Sequence, residues 1–194
     1  DQATMSAEDR ARFTQKIVSS VGRLQGLVEG LLALASLESS REVRREPGAL
    51  HTAAREVAEE FGARCKAAGV ELSLELTATE DVGADPIQAR RLIQNLIDNA
   101  LAHAAGLSRL RIGTRDTAEG TELSVEDDGA GVMPADLPRL FDRFYRTDKS
   151  RRAGGSGLGL SIVRQVAELH GGSAGAEPAR PKGLRVVVTI PRVV

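Results

Sequence analysis

Two asparagines at helical spacing are the first residues whose chemistry suggests a site. Asn95 and Asn99 lie four residues apart and therefore share one face of a predicted helix. An Asn oxygen is a good neutral ligand for Mg²⁺, which usually keeps water and substrate phosphates as its other ligands. Paired amides also serve as helix caps or core hydrogen bonds, so the pair alone leaves a metal site and a structural role open.

An aspartate at the end of a β-like segment is the second candidate. The segment leads into DDGAGV over residues 127–132, where Gly129 and Gly131 allow a sharp turn. Asp-Gly pairs are common in simple turns, and the spacing does not fit an EF-hand loop. In the functional interpretation, Asp127 directs its carboxylate into a pocket and accepts a hydrogen bond from an exocyclic amine such as N6 of adenine.

A glycine-rich run over residues 154–159 precedes an apolar stretch with helical spacing. Because glycine loses more backbone entropy on folding than other residues, the run indicates one of two structures. It is either an exposed linker or a backbone that lies against a phosphate chain at a helix N-terminus. Gly155, Gly157 and Gly159 are evenly spaced and follow no predicted strand, so they do not match the dinucleotide fingerprint, and the sequence has no Walker A motif.

Composition bounds the class of protein. The 194 residues carry a net charge of −1, which gives no electrostatic basis for nucleic-acid binding. The single cysteine, Cys65, excludes an internal disulfide framework and suits a reducing compartment. No window of 18 uncharged apolar residues exists and the N-terminus does not read as a signal peptide, so we expect no membrane contact within this chain.

A long helix is predicted over residues 6–39, with Ser6 as its N-cap. Apolar residues in it step by four and three, a coiled-coil spacing, at Ile17, Val21, Leu24, Val28 and Leu31. A glycine also recurs every fourth residue, at Gly22, Gly26 and Gly30, which favours close packing in a soluble helix bundle because charged residues interrupt the repeat. Such a helix needs a partner, from this chain or from a second copy.

The rest of the chain mixes helices and strands. Helices are predicted at 49–70, at 84–104 with Asp85 as its cap, and at 159–172 with Gly171 at its end. Strands are predicted at 71–78, 107–116, 121–129 and 184–194. We call residues 133–155 the lid. Their many charges and few regular apolar repeats predict a long loop with a short helix at 137–144. The mixture indicates an α+β fold in which helices cover one face of a sheet.

The order of these motifs is more specific than any one of them, and it resembles the ATP-binding domain of sensor histidine kinases. That domain has the Bergerat fold, shared with DNA gyrase, MutL and a heat-shock chaperone. The N, G1, F and G2 boxes of the family resemble NLIDNA, DDGAGV, FDRFYR and GGSGLGLSIV, and HGG and VVVTIP match further along. The resemblance covers about residues 46–194 and implies a two-layer α/β sandwich.

The resemblance also implies a domain organisation. Residues 1–40, whose helix ends in LLALASLES, resemble the second helix of a dimerisation and phosphotransfer hairpin. Their sequence is similar to that of carbon-source-responsive sensor kinases. Residues 41–48 would form a linker, and residues 49–194 the catalytic domain. The first helix of the hairpin is not found in this sequence. The resemblance implies a homodimer through the hairpin, in the cytoplasmic part of a membrane-anchored sensor.

ATP and Mg²⁺ are the ligands that the resemblance implies. Asn99 would coordinate Mg²⁺ with support from Asn95, and Asp127 would accept a hydrogen bond from the adenine amine. Arg146, with Arg143 and Lys149, would supply positive charge to the phosphates; the alternative is a solvated charged loop. The other residues expected at the nucleotide are His103, Gly129, Gly131, Val132, Gly155, Gly157, Leu158 and Gly159, and catalytic roles are expected for Asn95, Asn99 and Arg146.

The sequence departs from the family pattern near the end of the Asn-bearing helix. Ala102 stands where family members often have Lys or Arg, so phosphate contacts depend more on Arg146 and the lid. His103 occupies a position often held by Tyr or His, where it packs against the base edge or is simply a histidine at a helix end. Phe141 and Phe144 are expected to anchor the lid to the core rather than to touch the nucleotide.

The reaction implied is phosphoryl transfer rather than hydrolysis. Bergerat ATPases activate water with a Glu one helical turn before the metal-binding Asn, and here that position is Asn95, which cannot act as a general base. In the kinase family the acceptor is a histidine, which passes the phosphoryl group to an aspartate of a response regulator. His51, His103 and His170 lie outside the sequence context of such an acceptor, so we expect this chain to bind Mg-ATP without phosphorylating itself.

Two other functions remain open from sequence. One is a serine kinase of the anti-sigma type, against which the N-terminal helix and linker argue. The other is a degenerate module that docks a partner without binding nucleotide. The intact Asn99, Asp127 and glycines argue against it, whereas Ala102 argues for it.

Overall fold

The structure, a computed structural model, describes residues 6–39, 43–79, 82–147 and 156–192. The helices are α1 (Ala7–Ser39), α2 (Ala49–Ala67), α3 (Pro86–His103) and α4 (Gly159–Leu169), and one turn of 3-10 helix covers Leu137–Arg139. The strands are β1 (Glu71–Leu76), β2 (Arg109–Asp116), β3 (Gly120–Asp127), β4 (Ser173–Pro178) and β5 (Leu184–Pro191).

The strands form one sheet in the order β1-β2-β3-β5-β4. β1 is parallel to β2, and the other neighbouring pairs are antiparallel. Ile112, Val125 and Val186 lie side by side across its centre, all buried under α2, α3 and α4. The opposite face carries ion pairs such as that of Arg111 with Glu75. The predicted α+β fold, with helices on one face of a sheet, is therefore confirmed.

Local signals in the sequence account for the ends of the helices. The Asp85 side chain accepts hydrogen bonds from the N–H groups of Ile87 and Gln88, at 3.0 Å each, and so caps α3 as predicted. After α4, Gly171 adopts a φ of 70°, which favours glycine and ends the helix. Ser6 likewise caps α1, because its Oγ accepts from the N–H of Asp9 at 3.0 Å.

Strand β4 is an element that the sequence pattern does not predict. Its residues, SAGAEP, lack the large β-branched and aromatic side chains that mark strands. Pairing with β5 along its whole length holds it at the edge of the sheet. The strand therefore depends on its neighbour rather than on its own propensity.

The short helix predicted over residues 137–144 is wrong beyond Arg139. The N–H of Asp142 donates to the carbonyl of Arg139 and that of Tyr145 to Asp142, so these bonds span three residues rather than the four of an α-helix. Phe144 has a φ of 64°, which an α-helix excludes. The segment is a series of tight turns.

One face of α1 packs on α4. Leu34 and Leu37 of this face are buried. A Cβ added to Gly30 would lie 2.8 Å from Cδ1 of Leu158, so the approach of the two segments requires glycine there. Gly22 and Gly26 have open space where a Cβ would be. Within the described chain, the close packing predicted for the glycine repeat is therefore found at Gly30 alone.

The other face of α1 is apolar and exposed. The predicted coiled-coil residues lie there, with Leu24 63% exposed, and so does Leu32 at 65%. By length and composition alone, Asp9–Leu37 could also cross a membrane, but helices of soluble bundles meet the same criteria. The exposed face is the surface that the predicted partner helix would cover. Both the partner helix and the absence of membrane contact stay predictions.

A buried histidine connects the end of α4 to the start of α3. His170 donates from Nδ1 to the carbonyl of Val166 (2.8 Å) and accepts at Nε2 from the N–H of Asp85 (3.0 Å). Arg45, before α2, donates to the carbonyl of His170. Burial lowers the pKa of His170, and Arg45 adds to this effect. The neutral imidazole with its proton on Nδ1 satisfies both hydrogen bonds.

The substitution Gly30→Ala is expected to loosen the contact between α1 and α4. Its methyl group meets Leu158, whereas that of Gly26→Ala meets open space and adds about 0.5–1 kcal/mol of helix stability. Amide hydrogen exchange over residues 30–37 should be faster than wild type in the first variant and slower in the second. Equal protection in both variants would show that the contact does not require glycine.

Acidification is expected to destabilise the fold through His170. Its pKa in the folded state lies below the unfolded value of about 6.5, so the unfolded state binds more protons in that window. The free energy of unfolding should therefore fall as the pH drops below about 6.5. His103, whose pKa is also lowered, contributes to the same slope.

The measurement is denaturant unfolding across that pH range, in wild type and in His170→Gln. The variant should be less stable at pH 7 and should show a shallower pH dependence. Identical slopes in the two proteins would contradict the assignment to His170.

Candidate nucleotide-binding site

Helix α3 presents the predicted polar residues on one face. Asn95 donates from Nδ2 to the carbonyl of Arg91 (2.8 Å), and its Oδ1 lies 3.4 Å from the place where Gly159 would carry a Cβ. Asn99, one turn further along, is half-buried, and its side chain makes no hydrogen bond to the described part of the chain. The Asn99 oxygen is therefore available to a ligand.

The end of α3 carries a buried nitrogen that lacks a partner. Nδ1 of His103 makes no hydrogen bond within the described residues. Burial first, and then the positive charge of nearby Arg146, lower the pKa of His103, so the imidazole is neutral at pH 7. Because a buried polar atom without a partner costs free energy, this nitrogen indicates where a ligand or water completes the site. Arg146 brings the lid to the same place.

Asp127 ends β3 on the buried face of the sheet. Its Oδ1 accepts from the N–H groups of Gly129 (2.9 Å) and Leu184 (3.3 Å), whereas Oδ2 has no hydrogen bond to the described residues. Burial raises the pKa of this carboxyl, and the two N–H groups only partly oppose that effect. A carboxylate oxygen that accepts no hydrogen bond within the described residues suits an amine of a ligand.

The loop after Asp127 lies against the C-terminal end of α3. A Cβ at Gly129 would be 2.8 Å from the Cβ of Ala104, so the approach requires glycine. The N–H of Ala130 donates to the carbonyl of Ala105 at 2.9 Å. The Asp127 loop and the Asn-bearing helix are thereby joined directly.

The lid is bonded to the segment that follows it through a pair of residues with positive φ. Phe144 (φ 64°) donates its N–H to the carbonyl of Gly157 (φ 71°) at 2.9 Å. Phe141 is buried, with the Arg164 guanidinium 5.0 Å from the centre of its ring, which confirms its predicted role as an anchor. The same role predicted for Phe144 is wrong, because the backbone reversal leaves its side chain 54% exposed.

The start of α4 combines a packed side chain with free backbone groups. The side chain of Leu158 is fully buried and contacts Gly30 of α1, so only its backbone can serve a ligand. Gly159 begins the helix beside Asn95. The first N–H groups of a helix have no partner within it and attract anions.

The remaining predicted site residues are placed as follows. Val132 is partly buried against the core, and Gly131 has a φ of 68° and lies against the carbonyl of Gly183. Arg143 is exposed. Lys149 and Gly155 lie outside the described residues.

Asp128 is a residue that the motif analysis passes over. It accepts hydrogen bonds from Ser108 and Arg109, beyond the end of α3. The alternation of β3, with Leu123 and Val125 on the buried face, distinguishes it from Asp127 in the sequence. Its partners could not be found in the same way, because they lie 19 and 20 residues away.

The donors at this site suit Mg²⁺ carried by phosphates. Among the described residues, no group of three or more His, Cys, Asp or Glu could hold a metal ion. The Asn99 oxygen offers one neutral ligand, and Mg²⁺ commonly takes few protein ligands when a substrate's phosphates supply the others. A metal held by protein side chains alone does not fit these residues.

Comparison with known proteins agrees with this geometry. A sequence profile described as histidine kinase-, DNA gyrase B- and HSP90-like ATPase matches residues 84–194, which include α3, the Asp127 loop and α4. The chain belongs to this ATPase family.

The curated relatives of the chain include sensor kinases. The sensor protein kinase PmrB of Pseudomonas aeruginosa is 33% identical over 98% of this chain and 41% of its own length. A probable sensor histidine kinase of Mycobacterium tuberculosis is 34% identical over 95% of this chain and 48% of its own length. The chain is similar to the matching part of these sensor kinases, and it spans less than half of their length.

Solved structures of histidine kinases share the fold. Full-length ShkA in complex with AMPPNP superposes with a TM-score of 0.76 at 25% identity, over 99% of this chain and 41% of its own. ThkA in complex with the response regulator TrrA also gives a TM-score of 0.76, at 22% identity, over 99% of this chain and 54% of its own. At the identity of ThkA, the likeness concerns the fold alone.

Proposed function

We propose that this chain binds Mg-ATP and directs its γ-phosphoryl group to a histidine that lies outside this sequence. The observation that carries the proposal is the meeting of three separate segments on α3. Gly129 lies against Ala104, Gly159 lies beside Asn95, and Arg146 lies close enough to shift the pKa of His103. The first of these segments brings groups suited to adenine, and the other two bring groups suited to the phosphates.

Asp127 is proposed to select the base. Its Oδ2 accepts a hydrogen bond from the exocyclic amine of adenine, while Oδ1 keeps its two backbone donors. Gly129 and Gly131 allow the backbone to approach the base. His103 completes this end of the site, where its neutral ring packs against the base edge.

Asn99 and the start of α4 are proposed to hold the phosphates with their metal. Asn99 ligates Mg²⁺, which, when bound, neutralises charge on the phosphates. The N–H groups of Gly157 and Gly159 donate hydrogen bonds to the phosphate oxygens. Arg146 supplies positive charge from the lid, a task shared with Arg143 and Lys149, since Ala102 offers none.

Asn95 favours transfer over hydrolysis. Its Nδ2 is engaged with the carbonyl of Arg91, and an amide cannot take a proton from water at neutral pH. The neutral imidazole nitrogen of the acceptor histidine attacks the γ-phosphorus in line, and the bond from phosphorus to the ADP oxygen breaks. Positioning and charge neutralisation supply the catalysis.

The three histidines of this chain do not suit the acceptor role. His170 is fully buried, His103 lies within the nucleotide site, and Nε2 of His51 is 2.8 Å from Oγ1 of Thr114. We therefore place the acceptor on a first hairpin helix that pairs with α1. The exposed apolar face of α1, around Leu24, is the surface for that helix and for a second copy.

The wider pathway is proposed from the relatives. ThkA forms a complex with a response regulator, and we propose that an aspartate of such a protein receives the phosphoryl group here. We also propose that residues 1–40, 41–48 and 49–194 form the hairpin helix, linker and catalytic domain on the cytoplasmic side of a membrane-anchored sensor. Membership of the carbon-source-responsive group stays a prediction.

The substitution Asp127→Asn should abolish ATP binding without unfolding the chain. The Asn oxygen can accept from Gly129 and Leu184, but its amide then presents a donor to the adenine amine. Because burial raises the pKa of Asp127, the ionised carboxylate costs stability at neutral pH, so the melting temperature should not fall.

Calorimetric titration with a non-hydrolysable ATP analogue, with and without Mg²⁺, measures this effect. Asp98→Asn, which alters an exposed carboxylate of α3, is the matched control. An unchanged affinity in Asp127→Asn would remove the base-recognition role.

Incubation with γ-labelled ATP should leave the isolated chain without acid-labile phosphate. Longer protein that includes the proposed first hairpin helix should become labelled. Robust acid-labile labelling of the chain alone contradicts the proposal. Acid-stable label on a partner serine would instead indicate a serine kinase, and no affinity for ATP would indicate a docking module.

A further inference from the structure

The carboxylate of Asp128 accepts hydrogen bonds from the segment that follows α3. Its Oδ1 accepts from the N–H groups of Ser108 and Arg109, at 2.8 Å each, and its Oδ2 accepts from the hydroxyl of Ser108 at 2.6 Å. These bonds, with the hydroxyl of Ser108 first, hold the pKa of Asp128 well below its usual range. Nε of Arg109 also donates to Oδ2 at 3.5 Å, so the ionised side chain accepts four hydrogen bonds.

These bonds are the first of three successive contacts between the Asp127 loop and the segment that runs from the end of α3 to the start of β2. Gly129 lies against Ala104, and the N–H of Ala130 donates to the carbonyl of Ala105. Asp128 is the member of the group that acts through a side chain, and it adjoins Asp127 directly. Loss of its carboxylate would remove the side-chain bonds and leave the backbone bond from the N–H of Asp128 to the carbonyl of Arg109 (3.2 Å). We therefore expect a small shift of the loop, while β3 stays paired with β2 and β5.

We propose that Asp128 is a positioning residue for adenine recognition, which aligns the Asp127 carboxylate with the groups on α3. The proposal rests on the ATP-binding function proposed above. Adenine presents its N6 amine as a donor. A carboxylate meets that donor only if the base, held through Asn99 and the phosphates, and the Asp127 loop are in register.

A purely structural role for Asp128 predicts something different. General loosening of the domain would weaken every nucleotide equally. Misalignment of Asp127 would weaken ATP but spare a triphosphate that lacks the 6-amino group. The ratio of the two affinities therefore separates the two roles.

The experiment is calorimetric titration of the chain with Mg-ATP and with Mg-purine riboside triphosphate, which lacks that amine. Wild type should prefer ATP, since hydrogen bonds to charged groups are worth about tenfold or more in affinity. Asp128→Ala should lower the affinity for ATP about tenfold and the affinity for the purine triphosphate less than about twofold. Asp128→Asn should restore most of the preference, because its oxygen can accept the same two N–H groups.

Asp116→Asn is the matched control. Asp116 accepts from the N–H and hydroxyl of Thr79 at the other end of β2, so the preference for ATP should not change. Equal weakening of both nucleotides by Asp128→Ala, or an unchanged preference, overturns the positioning role. If wild type binds neither nucleotide, the ATP-binding function itself fails, which distinguishes the two failures.

Discussion

Helix α3 is held at both ends by segments far away in the sequence, and the geometry of the site depends on this constraint. At its start, Asp85 caps the helix and donates its own N–H to the buried His170. At its end, Ala104 and Ala105 contact the Asp127 loop. A helix fixed at two points cannot slide or rotate on the sheet. The side chains between those points therefore keep one position relative to β3 and α4.

Glu122 and Asp127 are buried carboxylates on opposite faces of the sheet, and they differ in how completely the protein pairs them. Burial raises the pKa of Glu122, but Arg115 and Arg185 outweigh that effect and lower it, so this carboxylate is fully paired. Asp127 has two backbone donors and no arginine, and its pKa is raised. Its second oxygen accepts no hydrogen bond within the described residues. Among those residues, Nδ1 of His103 and Nε of Arg146 are buried without a partner, and so is Oε1 of Gln88 at the other end of α3.

The long helix packs on the helix that begins at this site, and one of its contacts is with a residue of the glycine-rich segment. Leu158 lies between Gly157 and Gly159, at the start of α4, and packs against Gly30. The face of α1 that makes this contact is opposite the exposed apolar face. The helix therefore has one apolar surface packed on α4 and a second apolar surface that is exposed, which we propose is covered by a partner helix.

Local signals in the sequence were sufficient for most elements and for the principal site residues. A cap such as Asp85 or a breaker such as Gly171 acts on its own helix, and the alternation of β3 is enough to direct Asp127 inward. These features depend on residues within a few positions of each other. For the same reason, the motifs in their order were enough to recognise the ATP-binding family.

Contacts between distant residues were decided by the tertiary structure alone. β4 forms because β5 pairs with it, and Phe144 is exposed because its backbone bonds to Gly157. The glycine repeat predicted close packing of α1, but it did not indicate that Gly30 is where this packing occurs or that Leu158 is the partner. Each depends on which segments meet in space, and the periodicity of a single segment carries no information about its partner.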